Sequence, residues 1–120
     1  IGTNDLAQYT IAADRMSSQL ASLTDPWQPA VITLVAHTAK AGAAVGKPVG
    51  VCGEAAADPL LACVLVGLGV TSLSAASAAV AHVGAKLSSV TFAQCKQAAA
   101  AALSTDSAAA ARAAAGAVLD

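Results

Sequence analysis

Two short apolar runs alternate with helical patterns along the chain, and this alternation constrains the fold more than any other feature. The runs Val49–Cys52 and Val70–Ser74 are bounded by turn-forming residues, which predicts two short strands. Between them, Asp58 and Pro59 begin a helical pattern of apolar residues. Strands that alternate with helices indicate an α/β fold with parallel strands. We expect Val49–Cys52 to be buried on both faces of its sheet.

Helices are also predicted before the first strand. Asn4 and Asp5 can cap a short first helix, because their side chains accept hydrogen bonds from the free N–H groups of a first turn. Pro29 suits the first turn of a second helix, which we expect to end at Gly42 and Gly46. The first half of the chain is therefore expected to be helix-rich.

Three more helices are predicted after the second strand. The first covers Val80–Leu87, and Thr91 with Gln94 forms a capping box that opens the next. Ser104–Asp106 is expected to cap the last. Because alanine has the highest helix propensity, the alanine-rich tail is predicted to be helix, either packed or peripheral.

Alanine supplies much of the apolar content, so the core is thin for a chain of this length. Hydrophobic residues make up 57% of the 120 residues and aromatic residues only 2%. A buried alanine methyl contributes far less than the ~1.5–3 kcal/mol of a buried leucine or phenylalanine. Two strands with open edges also leave backbone groups unpaired. One modest domain is expected, completed by another copy of the chain or by chain outside these residues.

The charge balance and the cysteine spacing indicate which partners and which cellular compartment to expect. Six basic and seven acidic residues form no broad basic surface, so nucleic acid is not an expected partner. The three cysteines, Cys52, Cys63 and Cys95, contain no CxxC spacing, which favours reduced thiols and a cytoplasmic location. No basic segment followed by an apolar stretch opens the chain, so no signal peptide is predicted.

The uncharged segment Pro59–Ala85 is long enough to cross a bilayer. Its strongly apolar part, Leu60–Val70, is too short to do so, and neither basic flanks nor an aromatic belt follow it. We therefore expect this segment to be buried in a protein core and no membrane to be involved.

The opening residues Gly2–Leu6 form a candidate anion site. A hydroxyl, an amide and a carboxylate stand at the predicted start of a helix, where free N–H groups and the helix dipole favour an anion. Asp5 adds a hard oxygen ligand of the kind that Mg²⁺ prefers. Plain N-capping by Asn4 or Asp5 is the alternative, and the spacing alone favours it.

Two further positions carry candidate chemistry. The guanidinium of Arg15 could bind phosphate oxygens in a bidentate manner. A solvated pair with Asp14 is the alternative. Cys52 ends the first predicted strand, where α/β barrels carry their active sites, and its thiol could donate a proton to a carbanion-like carbon. Packing is the alternative role for Cys52.

Other conspicuous residues are given structural roles. Cys63 and Cys95 are interpreted as small hydrophobic residues within helices. Trp27 lies between two prolines and is interpreted as a loop anchor or an interface residue. His37 and His82 lie in helical patterns far from any Ser or Cys partner in sequence, so neither is favoured as a catalytic base.

Taken together, the segments Ile1–Arg15 and Val49–Pro59 closely resemble the phosphoenolpyruvate-binding domain of the Enzyme I family, which starts the bacterial sugar phosphotransferase system. The similarity runs from Ile1 through Ser74 and more loosely to the end of the chain. Pyruvate phosphate dikinase and phosphoenolpyruvate synthase share the Gly-Thr-Asn-Asp-Leu and Cys-Gly-Glu elements and are the alternative families. The stretch Gln8–Arg15 is more similar to Enzyme I.

The resemblance implies that residues 1–120 form the C-terminal, incomplete segment of a TIM (β/α)₈ barrel that binds phosphoenolpyruvate and Mg²⁺. By motif match, Asn4 would contact the phosphate, Arg15 would hold phosphate oxygens and Asp5 would ligate Mg²⁺. Cys52 would protonate the enolate carbon to release pyruvate. The phosphoryl group would pass to a histidine on a separate N-terminal domain and then to the phosphocarrier protein. The family also implies a homodimer.

The same resemblance implies limits. A full barrel takes about 250 residues, and the family's other magnesium carboxylate and several arginines precede the Gly-Thr-Asn-Asp-Leu motif. We therefore expect the 120-residue chain alone to be catalytically silent. Ser74–Ala79 departs from the family's proline-containing sequence, which weakens the match at the mouth of the final strand. A noncatalytic self-association module is the competing class, because open strand edges favour pairing between copies.

Overall fold

Helices dominate the computed structural model, which describes residues 1–120. The strands are β1 (Gly50–Cys52) and β2 (Ser72–Ser74). The α-helices are α1 (Thr3–Ile11), α2 (Pro29–Ala44), α3 (Glu54–Ala57), α4 (Pro59–Gly67), α5 (Ser77–Ser88), α6 (Phe92–Leu103) and α7 (Ala108–Leu119). A 3₁₀-helix, Ser18–Thr24, lies between α1 and α2. The structure confirms the predicted order of elements, although the sequence pattern predicts neither α3 nor the 3₁₀-helix.

The sheet is parallel, as the alternation of elements predicts. β1 pairs with β2 in a register that places Val51 opposite Leu73. The start of the chain adds a third parallel segment on the other edge of β1, where Gly2 pairs with Cys52. There the N–H of Cys52 donates to the carbonyl oxygen of Ile1 at 3.0 Å. Because the two segments run in the same direction, α1 and α3 both begin at the carboxyl ends of the strands.

Helix α4 lies at the centre of the core. Its residues Leu61–Leu65 are all buried, and both α6 and α7 pack against it. The buried positions of α6 and α7 are mainly alanines, namely Ala98, Ala99, Ala102, Ala111 and Ala115. Small side chains bring these helices close together. The prediction of helix in the alanine-rich tail is confirmed, and of the two alternatives the tail is packed. None of the helices has both the length and the apolar character needed to cross a membrane.

Asp58 joins three parts of the fold. One carboxylate oxygen caps α4 by accepting from the backbone N–H groups of Leu60 at 2.9 Å and Leu61 at 3.2 Å. The other oxygen accepts from the indole N–H of Trp27 and from the guanidinium of Arg112, both at 2.8 Å. Arg112 also stacks over the Trp27 ring, 5.1 Å from its centroid. Trp27 is fully buried, which confirms its role as a loop anchor.

Two of the capping predictions are wrong. Gly2 is the N-cap of α1, so Asn4 and Asp5 lie inside the first turn and neither caps the helix. The helix starts early because pairing with β1 ends at Gly2. Helix α7 is capped by the side chain of Ser107, not by Ser104–Asp106. The predicted capping box at the start of α6 is confirmed.

Two other expectations also need correction. Helix α2 continues through Gly42 to Ala44. A Cβ on Gly42 would lie 2.6 Å from a methyl of Val49, so this glycine makes room for the returning chain and does not end the helix. β1 is not buried on both faces, because Val51 is buried but Cys52 is exposed at the end of the strand.

Two helical glycines provide a test of this packing. A Cβ on Gly67 would overlap the backbone carbonyl of Cys95 on α6, whereas a Cβ on Gly84 meets nothing within 4 Å. Gly67→Ala should therefore lower the free energy of unfolding by about 1–3 kcal/mol through overpacking. The control Gly84→Ala should raise it by about 0.5–1 kcal/mol, because alanine has the better helix propensity. Urea unfolding followed by circular dichroism measures both, and equal effects would contradict the described α4–α6 contact.

Candidate functional site

The candidate site lies where α1 and α3 begin, at the carboxyl ends of the first paired segment and of β1. The hydroxyl of Thr3 donates to the carbonyl oxygen of Cys52 at 2.9 Å. The side-chain oxygen of Asn4 accepts from the backbone N–H of Glu54 at 3.4 Å. Gly53 has a φ of +95°, a conformation that favours glycine. The Gly-Thr-Asn-Asp-Leu and Cys-Gly-Glu motifs are therefore in direct contact.

A cleft of about 220 Å³ opens beside this contact. The residues that line it are mostly polar, namely Asn4, Arg15, Met16, Thr24, Pro26 and Glu54. The cleft thus brings together Asn4 and Arg15, the two residues predicted to bind substrate. The amide of Asn4 and the guanidinium of Arg15 are donors that suit an anionic ligand, and the carboxylate of Glu54 lies on the same cleft. Cys52 and Asp5 do not line the cleft, although Asp5 follows Asn4 directly and Cys52 lies two residues before Glu54.

Arg15 pairs with Asp5 and not with its sequence neighbour. One guanidinium nitrogen lies 3.8 Å from a carboxylate oxygen of Asp5, and the two side chains are 45% and 70% exposed. Asp14 instead accepts from the backbone N–H of Met16 at 2.9 Å. The proposed solvated pair of Asp14 with Arg15 is therefore wrong. Since an exposed ion pair is worth about 0–1 kcal/mol, both Arg15 and Asp5 can turn to a ligand at little cost.

The three cysteines lie in different environments. Cys52 is exposed, with its sulfur 3.5 Å from the carbonyl oxygen of Ile1. Cys63 and Cys95 are buried in the core, as their interpretation as small hydrophobic residues predicts. Burial raises the pKa of Cys63 from 9.0 to about 11, and the neighbouring Cys95 adds to this shift. Burial also raises the pKa of Cys95. Both buried thiols are therefore neutral at physiological pH.

Asp5 is the residue that the resemblance predicts as a Mg²⁺ ligand. Asp5 is an exposed carboxylate with a hard oxygen donor, but no group of three His, Cys, Asp or Glu side chains is placed to hold a metal ion. Protein Mg²⁺ sites often use one or two carboxylates together with substrate phosphates and waters. Asp5 fits one position of such a shared site. The remaining ligands would have to come from outside these residues.

Sequence reasoning did not anticipate the roles of two residues at this edge. Thr3 is buried and ties the motifs together, and Glu54 lines the cleft at the start of α3. A four-residue helix such as α3 carries too little periodicity to be detected. The contact of Thr3 with β1 depends on a long-range pairing. His37 and His82 are exposed, and neither lines the cleft.

Comparison with known proteins identifies the class. The profile of the family described as "PEP-utilising enzyme, PEP-binding domain" matches residues 1–92. The chain therefore belongs to this family of phosphoenolpyruvate-utilising enzymes.

Within that class, three similar curated proteins carry the name phosphoenolpyruvate-protein phosphotransferase. The chain is 63% identical to the Streptomyces coelicolor protein over 119 residues, which is 99% of this chain and 21% of that protein. It is 44% identical to the Geobacillus stearothermophilus protein over 72% of this chain and 15% of that protein. It is 50% identical to the Cupriavidus necator protein over 62% of this chain and 13% of that protein. The chain thus spans about a fifth or less of the length of these relatives.

Thiol accessibility tests the described environments. One thiol per native chain, that of Cys52, should react with a chromogenic disulfide reagent, and all three should react after denaturation. The physical reason is that Cys63 and Cys95 are buried and held in the unreactive neutral form. The variant Cys52→Ser should show no fast-reacting thiol in the native state. Two or more fast thiols in the native chain would contradict the burial of Cys63 and Cys95.

Proposed function

We propose that this chain is the closing segment of the phosphoenolpyruvate-binding barrel of a phosphoenolpyruvate-protein phosphotransferase, the Enzyme I of the sugar phosphotransferase system. The names of its relatives support this proposal. Parallel strands joined through helices are consistent with a piece of a (β/α)₈ barrel. The unpaired edge of β2, beside an apolar groove of about 300 Å³ between β2 and α5, suits further barrel strands.

The single observation that carries the proposal is the convergence of Asn4 and Arg15 on one cleft beside the Cys52–Glu54 turn. Two donors of different kinds, an amide and a guanidinium, can hold the phosphate of phosphoenolpyruvate from two directions. In phosphoryl transfer the protein contributes mainly positioning and charge stabilisation. Asn4 and Arg15 would provide both.

Asp5 would be one ligand of Mg²⁺ in the complete protein. A bound Mg²⁺ neutralises charge that develops on the phosphoryl oxygens. The position of Asp5 next to Asn4 and its 3.8 Å contact with Arg15 support this role. The weak pairing with Arg15 leaves the carboxylate available to the ion.

Cys52 would complete the reaction. Transfer breaks the bond between the bridging oxygen and phosphorus of phosphoenolpyruvate and forms a bond from phosphorus to a histidine nitrogen on a separate domain. The electron pair left on oxygen gives the enolate of pyruvate. The exposed thiol of Cys52 then donates its proton to the enolate carbon, leaving a thiolate.

The proposal includes the parent protein's partners and location. The phosphohistidine would pass its phosphoryl group to the phosphocarrier protein, and the parent would act as a cytoplasmic homodimer. Three cysteines without a disulfide are consistent with a reducing compartment. Exposed apolar side chains on and near α1, Tyr9 at 79% and Met16 at 83%, favour a protein–protein contact and also support the self-association alternative. Pyruvate phosphate dikinase and phosphoenolpyruvate synthase are less favoured, because the three relatives described above carry the phosphotransferase name.

Labelled phosphoenolpyruvate tests the proposal in the longer phosphotransferase polypeptide that contains this segment. Arg15→Met should lower kcat/KM for phosphoenolpyruvate by about 100-fold, because a charged phosphate contact is lost. The matched control Lys40→Met removes an exposed charge on α2 and should leave kcat/KM unchanged. The isolated 120-residue chain should transfer no label. Equal effects of the two substitutions would contradict the site, and transfer by the isolated chain would contradict its incompleteness.

A further inference from the structure

Thr3 is the one polar residue among the 25 buried residues of the chain. Its side chain is not part of the cleft, and it does not cap α1. The hydroxyl instead donates to the carbonyl oxygen of Cys52 at 2.9 Å. A buried hydroxyl without a partner would be costly, so this hydrogen bond fixes the direction of the Thr3 side chain.

The hydrogen bond extends the pairing of the chain start with β1. Beyond Gly2 the backbone turns into α1 and leaves the sheet. The hydroxyl of Thr3 binds the Cys52 peptide just past that point. On the other side of this peptide the chain turns sharply, with Gly53 at a φ of +95°. The Cys52 peptide is therefore held by the start of the chain on one side and is followed directly by the sharp turn at Gly53, at the end of β1.

The turn at Gly53 lies against the side chains of both Thr3 and Asn4. A Cβ on Gly53 would lie 3.3 Å from the hydroxyl oxygen of Thr3 and 3.2 Å from the side-chain oxygen of Asn4. Thr3 therefore packs closely beside the turn that follows Cys52. Thr3 also immediately precedes Asn4 in the chain. No other side chain hydrogen-bonds to the peptide of Cys52.

We propose that Thr3 is a positioning residue, whose hydroxyl fixes the Cys52 thiol relative to the cleft formed by Asn4 and Arg15. Thr3 touches neither substrate nor the transferred proton, and it acts through the Cys52 peptide. The catalytic consequence rests on the proposed function, whereas the effect on the thiol does not. A reacting group displaced by about 1 Å can cost roughly 100-fold in rate.

The effect on the thiol is measured in the 120-residue chain. Thr3→Val keeps the shape but removes the hydroxyl, and the rate of Cys52 alkylation by iodoacetamide should change by about threefold or more. Thr3→Ser keeps the hydroxyl and should stay near the unsubstituted rate. The control Thr38→Val removes a hydroxyl bond to Leu34 on α2 and should also leave the rate unchanged. Equal alkylation rates for Thr3→Val and the unsubstituted chain would overturn the proposal.

A second measurement needs no substitution, so it remains decisive if Thr3→Val does not fold. The Thr3 hydroxyl proton should exchange slowly with water in nuclear magnetic resonance spectra, because it is buried and bonded to the Cys52 carbonyl. Rapid exchange of this proton would overturn the proposal. Thermal unfolding of each variant identifies those that are folded.

The effect on catalysis is measured in the longer phosphotransferase polypeptide. Thr3→Val should lower kcat by about 10- to 100-fold, with KM for phosphoenolpyruvate changed less than about threefold, because the thiol and not the phosphate site is displaced. Thr3→Ser should restore kcat. A parallel loss of kcat by Thr3→Val and Thr3→Ser would overturn the catalytic role. If the unsubstituted polypeptide transfers no phosphoryl group, the proposed function fails, while the alkylation rates still decide whether Thr3 positions Cys52.

Discussion

The parallel pairing of the first two residues with β1 is the interaction on which the candidate site depends. The Cys52 N–H donates to the Ile1 carbonyl, and the Thr3 hydroxyl donates to the Cys52 carbonyl. Each hydrogen bond contributes only about 0.5–1.5 kcal/mol, but together they fix the register of two distant segments. A one-residue slip in this register would turn every side chain of the paired segment to the opposite face. The register therefore decides which side chains face the cleft.

The helices hold that edge of the sheet in place with few large side chains. Helix α4 fills the centre, and the alanine faces of α6 and α7 close over it. Asp58 adds a polar anchor by capping α4 and binding both Trp27 and Arg112. Its carboxylate is partly buried, with 18% of the side chain exposed, and three kinds of donor satisfy its oxygens. One fully used carboxylate thus compensates in part for the scarcity of aromatic residues.

Local signals were sufficient to predict several features of the fold. The start of α4 at Asp58 and Pro59 follows from capping and the fixed φ of proline, and the capping box of Thr91 and Gln94 likewise involves neighbouring residues. Long-range packing decided the rest. Asn4 looks like a cap in the sequence, but strand pairing starts α1 earlier and turns its side chain to Glu54.

In the candidate site, too, some features follow from local sequence signals and others depend on contacts between distant residues. Asn4 and Arg15 belong to one recognisable motif, so their convergence on a cleft could be predicted from the resemblance. The partner of Arg15 could not, because the backbone turn at Asp14 and Met16 decides it. The role of Thr3 could not be predicted either, since a threonine at a helix start gives no sign that a distant carbonyl will accept a hydrogen bond from its hydroxyl.

Nuclear magnetic resonance of the 120-residue chain is the most direct test of the central pairing. We expect nuclear Overhauser contacts between the backbone protons of Gly2 and those of Cys52 and Gly53, together with a protected Cys52 amide. These observations would place the two motifs at one edge of the sheet. A folded chain that lacks these contacts and exchanges the Cys52 amide freely would contradict the account.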